Sequence, residues 1–286
     1  MSASAAAPAA PGLVCAFAVT RTPPDPAGLA AARGHEEGGA LRVLRAGDLC
    51  LVVQDVPAAL FGEEALTERL NRPEDLERCA RAHHRGVEAA AGRGPAVPLP
   101  MATLYRGDRT AERAVAARRP VLDTLLERLR DRTEWAVKVH AAEAAPEAPT
   151  DTGASTNTGA SAGSGSGGRA YLSRASARRR ERQGAHGRAL AEAEAVDAAL
   201  RSHAVAATRH RPQSERLTGR RAPQLLNVAY LVEDARRAEF TTALARFTAA
   251  GPRPAVRVEA SGPWIPYSFA RWDEDPRPGP DQEAPS

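Results

Sequence analysis

Cys79, His83 and His84 are the residues whose types and spacing come nearest to reactive chemistry. Cys79 and His83 are four apart, so on a helix they share a side, the spacing a thiol nucleophile and its base would need. His83 and His84 are adjacent and point about 100° apart on a helix, so they cannot grip one ion together. His83 also falls on an apolar stripe, where a hydrogen-bonded core histidine is the expectation. Nothing in the sequence supplies an oxyanion site or a third group to orient the base. HExxH, GxSxG and paired-carboxylate signatures are missing. Glu233-Asp234 follows a strand, where acidic residues cap the next helix. The glycines of residues 141–168 lead to no Gly-Lys-Ser/Thr, so they are not a phosphate loop. Cys15, Cys50 and Cys79 are widely spaced with no CxxC pair, which argues against a zinc site and against a disulfide framework. The sequence therefore predicts no catalytic residue, no metal and no cofactor. A small cytosolic enzyme built on Cys79, His83 and His84 is the minor alternative.

Two other groups suit binding. Arg174, Arg178, Arg179, Arg180, Arg182 and Arg188 form the densest basic run. They read either as a solvated helix face or as an electrostatic contact for an acidic partner. An RNA-binding module is the runner-up function, but the aromatic-rich signature of such modules is missing, so no nucleic acid partner is expected. Of the 39 basic residues only Lys138 is not arginine, and alanine is abundant. That skew reflects coding background, which discounts the net charge of +4 as a sign of nucleic acid binding. The second group is the stretch SGPWIPYSFA, residues 261–270. A chain with only 4% aromatic residues places Trp264, Tyr267 and Phe269 here, beside Pro263 and Pro266. The prolines fix the backbone and lower the entropy lost on ordering, so the stretch reads as a rigid strap. Its rings either plug a seam between two domains or present an aromatic anchor to a partner.

The elements that must position these groups follow from periodicity. LVCAFAV (13–19) reads as a strand, and LRVLRAGDLCLVVQDV (41–56) as two strands around Ala46-Gly47-Asp48. A helix begins near Pro73, with Leu76, Ala80, His83, Val87 and Ala91 in one stripe. AVPLPMATLY (96–105) is stiff and extended. A helix capped by Asp108 runs through Leu129, with Val115, Leu122, Leu125, Leu126 and Leu129 inward and a kink or restart at Pro120. In EWAVKVH (134–140), Trp135, Val137 and Val139 share one side, and Glu134, Lys138 and His140 the other. A long helix follows over 171–207, with Leu190, Ala193, Val196, Leu200, His203 and Ala207 as its buried stripe. Strands follow near 206–211 and at LLNVAYLVE (225–233). A helix with Phe240, Leu244 and Phe247 inward ends at Gly251-Pro252, and AVRVEAS is the last strand, closed by Gly262 and Pro263.

The fold class is α+β with two domains: a mixed α+β domain over 12–131, and a ferredoxin-like domain over 132–272 with the order β-α-β-β-α-β. Residues 142–168 hold no large apolar residue and read as a flexible insertion, and 1–11 and 273–286 as disordered tails. The N-terminus has no secretory signal and no segment is apolar enough to span a bilayer, so a soluble intracellular protein and no lipid membrane are expected.

Several segments occur together in a familiar order: GDLCLVVQDVP, ARAHHRGVE, VPLPMATLY, EWAVKVHA, GRAYLSRASARRRER, LLNVAYLVEDARRAEF and SGPWIPYSFA. This ordered set, over roughly residues 13–272, resembles gas vesicle proteins F and L. The family commonly has proline where Ile265 stands and a phenylalanine-glycine pair near Met101-Ala102. The resemblance implies a non-enzymatic accessory or minor structural protein of gas vesicle assembly, located at the vesicle in the cytoplasm. It implies as partners the hydrophobic main shell protein and other gas vesicle accessory proteins. It also implies two α+β domains, the second ferredoxin-like.

Overall fold

The computed structural model describes residues 12–142, 166–211, 223–248 and 255–271. The fold is mixed α+β, with two antiparallel sheets and eight helices among the described residues. The chain divides into two compact units, one running through Glu134 and resuming at Pro263, the other spanning Trp135–Gly262. The strap from Pro263 thus falls with the first unit, not with the second, where sequence order had put it. Expectations for the two tails and for residues 143–165, and the helix stop at Gly251-Pro252, lie outside the described residues.

In the first unit, β1 (Leu13–Thr20) is central. Its neighbours give the order β2 (Leu41–Ala46), β3 (Leu49–Val56), β1, β4 (Ala96–Pro98), with β5 (Leu104–Arg106) also on β1. The β2–β3 hairpin turns at Gly47-Asp48, where Gly47 has φ 69°. One face of β3 was expected inward, but Leu49 through Val53 are all buried, because β3 lies between two strands with both faces covered. The expected extended run 96–105 is broken by a turn at Met101-Ala102, where Ala102 holds φ 68°. That is a conformation glycine adopts without strain, which gives a physical reason for the family's glycine nearby.

Short helices α1 (Pro26–Ala31), α2 (Ala58–Phe61) and α3 (Glu63–Leu70) precede α4 (Pro73–Ala91). The buried residues of α4 are Asp75, Cys79, Ala82, His83, Gly86, Val87 and Ala90. The expected stripe is therefore offset: Leu76 is 40% exposed and Ala80 is also outside. The reason is a close approach, since a Cβ at Gly86 would stand 2.3 Å from the Phe17 ring. Small residues at 79, 82, 86 and 90 let the helix sit down on β1. The next helix does restart at Pro120, as α5 (Asp108–Ala117) and α6 (Arg119–Leu129). Val115, Leu122, Leu125, Leu126 and Leu129 are buried as expected. Asp108 makes no capping bond; it accepts two from the Arg42 guanidinium, at 3.0 and 2.7 Å.

The second sheet has the order β7 (Ala206–Arg209), β8 (Gln224–Glu233), β6 (Arg132–Ala141), β9 (Val256–Trp264). Both sheets thus place the first strand of their unit between its third and fourth. Two helices, α7 (Ser166–Arg201) and α8 (Arg237–Thr248), complete the unit. The core gathers Val137, Val139, Val196, Leu200, Val228, Tyr230, Val232, Phe240 and Leu244, with Trp135 and Phe247 against it. Four details differ from expectation. Helix α7 ends at Arg201, not 207, so His203 and Ala207 are not part of its buried stripe; the chain turns after Arg201 and Ala207 is taken into strand β7, paired with Tyr230. Helix α7 starts at Ser166, inside the stretch expected to be flexible, and Leu190 is 40% exposed while Ala189 takes its place in the core. Strand β9 continues through Gly262 and Pro263 to Trp264; it is the edge strand of its sheet, the position at which a proline is tolerated.

Candidate functional site

Burial separates the three residues that could have made a reactive cluster. Cys79 is 2% exposed and His83 5%. Burial pushes the Cys79 thiol above its ordinary range, and pushes Cys15 up to about 12. A nucleophile needs the opposite shift. His83 Nε2 lies 3.0 Å from the Leu99 carbonyl and its ring stacks on Phe17. Nε2 therefore carries the proton and donates, and burial holds the ring's pKa below the usual imidazole value. His35 packs edge-on against Phe61 and tilted against Phe17; burial, then the nearby His83, lowers it to about 4. These are neutral core histidines. Among the described residues, no three His, Cys, Asp or Glu side chains gather as metal ligands would.

His84 meets the strap. Its Nδ1 stands 3.1 Å from the Tyr267 hydroxyl and its Nε2 3.3 Å from Glu88. Its ring also meets Trp264 edge-on at 6.2 Å. After β9, the chain makes a 3-10 turn at Tyr267–Phe269. Glu134, only 8% exposed, receives the Ser268 N–H at 2.8 Å and the Ser268 hydroxyl at 2.7 Å. Two bonds from one residue to an ionisable carboxylate form a strong latch. Phe269 is 3% exposed, under the Arg128 guanidinium, and Ile265 packs against the first core. Trp264 is 45% and Tyr267 37% exposed. The strap's three rings thus have different environments: one is buried in the first unit and two stand at its surface.

The arginine run lies on the first half of α7. Arg178, Arg179, Arg180, Arg182 and Arg188 are exposed, and none of the five has an ion pair among the described residues; Arg174 is placed only as part of the helix. Every described side chain from Ser176 to Arg188 is exposed, whereas Ala189, Ala193, Val196 and Leu200 further along are buried. Among its described side chains, helix α7 packs on its sheet from Ala189 onward. There it is fixed by Asp197, 2% exposed, which accepts from Tyr230 Oη at 2.6 Å, Arg201 Nε at 3.0 Å and Arg209 at 2.5 Å. Burial alone would raise the Asp197 pKa, but these three donors together hold it below the usual carboxylate value.

Sequence reasoning found the strap and the arginine run but missed Glu134 and His84 as the strap's holders. Alternation places Glu134 on the side of β6 opposite Trp135, Val137 and Val139, and nothing local marks it as a latch. His84 carried one signal, its place one residue off the buried stripe.

The fold and these groups define a two-unit α+β protein whose distinguishing surface features, among the described residues, are a latched aromatic strap and an exposed arginine stretch on α7. The chain belongs to the family of gas vesicle synthesis protein GvpL/GvpF, whose model matches residues 14–271. It is 38% identical over 255 residues to gas vesicle protein L of Streptomyces sp. (strain CB03234), covering 89% of this chain and 91% of that one. Its fold is similar to the crystal structure of gas vesicle protein GvpF from Anabaena sp. PCC7120, with a TM-score of 0.58 at 14% identity, over 91% of this chain and 96% of that one. It is also similar to GvpF from Microcystis aeruginosa, with a TM-score of 0.55 at 14% identity, over 91% and 99% of the two chains. Among the described residues no helix is long and apolar enough to cross a membrane.

Proposed function

We propose that this protein is a non-enzymatic assembly factor that binds the main gas vesicle shell protein, or other accessory proteins, while the vesicle nucleates and grows in the cytoplasm. The observation that carries this reading is the family match over nearly the whole described chain. Its physical logic is that an apolar shell subunit aggregates unless its surface is covered before it enters the wall. The second unit is read as ferredoxin-like, supported by its β-α-β-β-α-β element order and the strand order β7-β8-β6-β9. The neutral, buried state of Cys79 and His83 supports a packing role for them rather than catalysis. Trp264 and Tyr267 are the strap residues offered as partner anchors, since aromatic side chains at a surface supply large contact area at low entropic cost.

The test is genetic and biochemical together. Deleting the gene from a cluster that makes vesicles should abolish them or reduce their number. The tagged full chain should co-purify the shell protein or another accessory protein when the cluster is co-expressed. Normal vesicles in the deletion strain, with no cluster protein captured, would overturn the reading.

A further inference from the structure

Resting on the assembly reading above, we propose that the exposed first half of α7, Ser176–Arg188, is a docking helix for a protein segment rich in aspartate and glutamate. Five arginines stand in this stretch against Glu181 as the single acid, and none of the five is ion-paired among the described residues. The chain elsewhere pairs its arginines freely: Arg21, Arg42, Arg69, Arg93, Arg119 and Arg209 all meet carboxylates. A run unpaired among the described residues, beside that habit, is a surface suited to receive carboxylates.

The helix itself points the same way. Before Ala189, over 176–188, every side chain is exposed and the helix gains nothing from burial. Arg178 and Arg182 are four apart on one side, a repulsive pairing for a helix. Gly184 and Gly187 each weaken it further. A facing row of carboxylates removes the repulsion and forms two-pronged guanidinium bonds that a point charge cannot copy. Arg178 and Arg182 continue the line of Ala189, Ala193, Val196 and Leu200, the side by which the same helix packs on protein further along. Other anionic surfaces fit less well. The stretch holds no large apolar residue to enter a bilayer, and no Phe, Tyr or Trp to stack with a nucleotide base, His186 being its one aromatic ring.

The experiment uses the full chain and a synthetic helical peptide with glutamates at i, i+4 spacing. Hydrogen exchange should show protection of amides within 176–188 on peptide addition. Affinity should fall tenfold or more between low and high salt. A triple reversal, Arg178→Glu with Arg179→Glu and Arg182→Glu, should abolish binding while melting normally. The matching triple lysine variant keeps the charge, and should retain only part of the affinity if two-pronged bonds contribute. No protection of 176–188, or equal binding by the reversal variant, would overturn the proposal. So would tighter binding to an RNA hairpin or to anionic vesicles of phosphatidylglycerol than to the peptide at equal salt. In cells, normal vesicles in the reversal strain but none in the gene deletion would overturn the docking helix while leaving the assembly reading in place.

Discussion

Lowering the pH should destabilise this protein well before its carboxylates are protonated, because two histidines are folded in their neutral form. His35 is 6% exposed between Phe17 and Phe61. Burial lowers it from 6.5 to about 4, and the charges facing it are His83, Glu37, Arg69 and Arg85, of which only Glu37 opposes the shift. The unfolded chain takes up a proton near pH 6.5 that the folded state refuses until about pH 4. The unfolded state binds more protons throughout that window, so stability is fully present above it and is lost as pH falls. Linkage over this interval gives a loss of about 2 kcal/mol by pH 5 and about 3 kcal/mol by pH 4 from His35 alone. His83 is shifted in the same direction and adds to the loss. Glu37 and Asp197 are held below their ordinary values, so their stabilising effect is lost only lower on the scale. The assay is urea unfolding at half-unit steps from pH 7.5 to 4.5, on wild type and on His35→Phe, which keeps a ring in the pocket but cannot titrate. Wild type should lose stability faster than the variant, by up to about 1.4 kcal/mol per pH unit. Parallel slopes, or a His35 ring that titrates near 6.5 by NMR, would refute the reasoning.

Phe269→Ala should cost about 3–5 kcal/mol, as truncation of a buried aromatic does, and Trp264→Ala distinctly less, because that ring is 45% exposed; chemical denaturation of both variants compares them directly. If Trp264 anchors a partner, its alanine variant should lose shell-protein capture with melting little changed, and full capture would sink that role. Tyr230→Phe removes the hydroxyl that bonds Asp197 and should cost about 1.5–3 kcal/mol, read from unfolding curves at pH 7. The thiols of Cys15, Cys50 and Cys79 are all buried, so a thiol reagent should label them slowly in the native protein and completely in denaturant; rapid native labelling of Cys79 would revive the reactive reading. Scrambling the order of residues 143–165, which contain no large apolar residue, should move the melting temperature by no more than a few degrees.

Much of this architecture is written locally. The alternation in β6, the leucine spacing of α6 with its restart at Pro120, and the Phe240–Leu244–Phe247 run of α8 each follow from a period that one element imposes on its own residues. The ordered set of motifs was enough for family membership. What needed the folded molecule was everything decided by a neighbour. The face of α4 was set by how closely Gly86 could approach Phe17, so Leu76 lost its expected burial, and His83 entered the core while His84 meets the strap. Leu190 is apolar and helical, yet exposed, because α7 meets its sheet along a line through Ala189 and Ala193. Alternation says only that Glu134 lies opposite Trp135, Val137 and Val139; that it holds the strap, more than a hundred residues later, through Ser268 is decided by the fold. Periodicity assigns residues to a side of an element; only the packing of distant segments decides what that side meets, and among the described residues these contacts hold the strap and leave Ser176–Arg188 of α7 exposed.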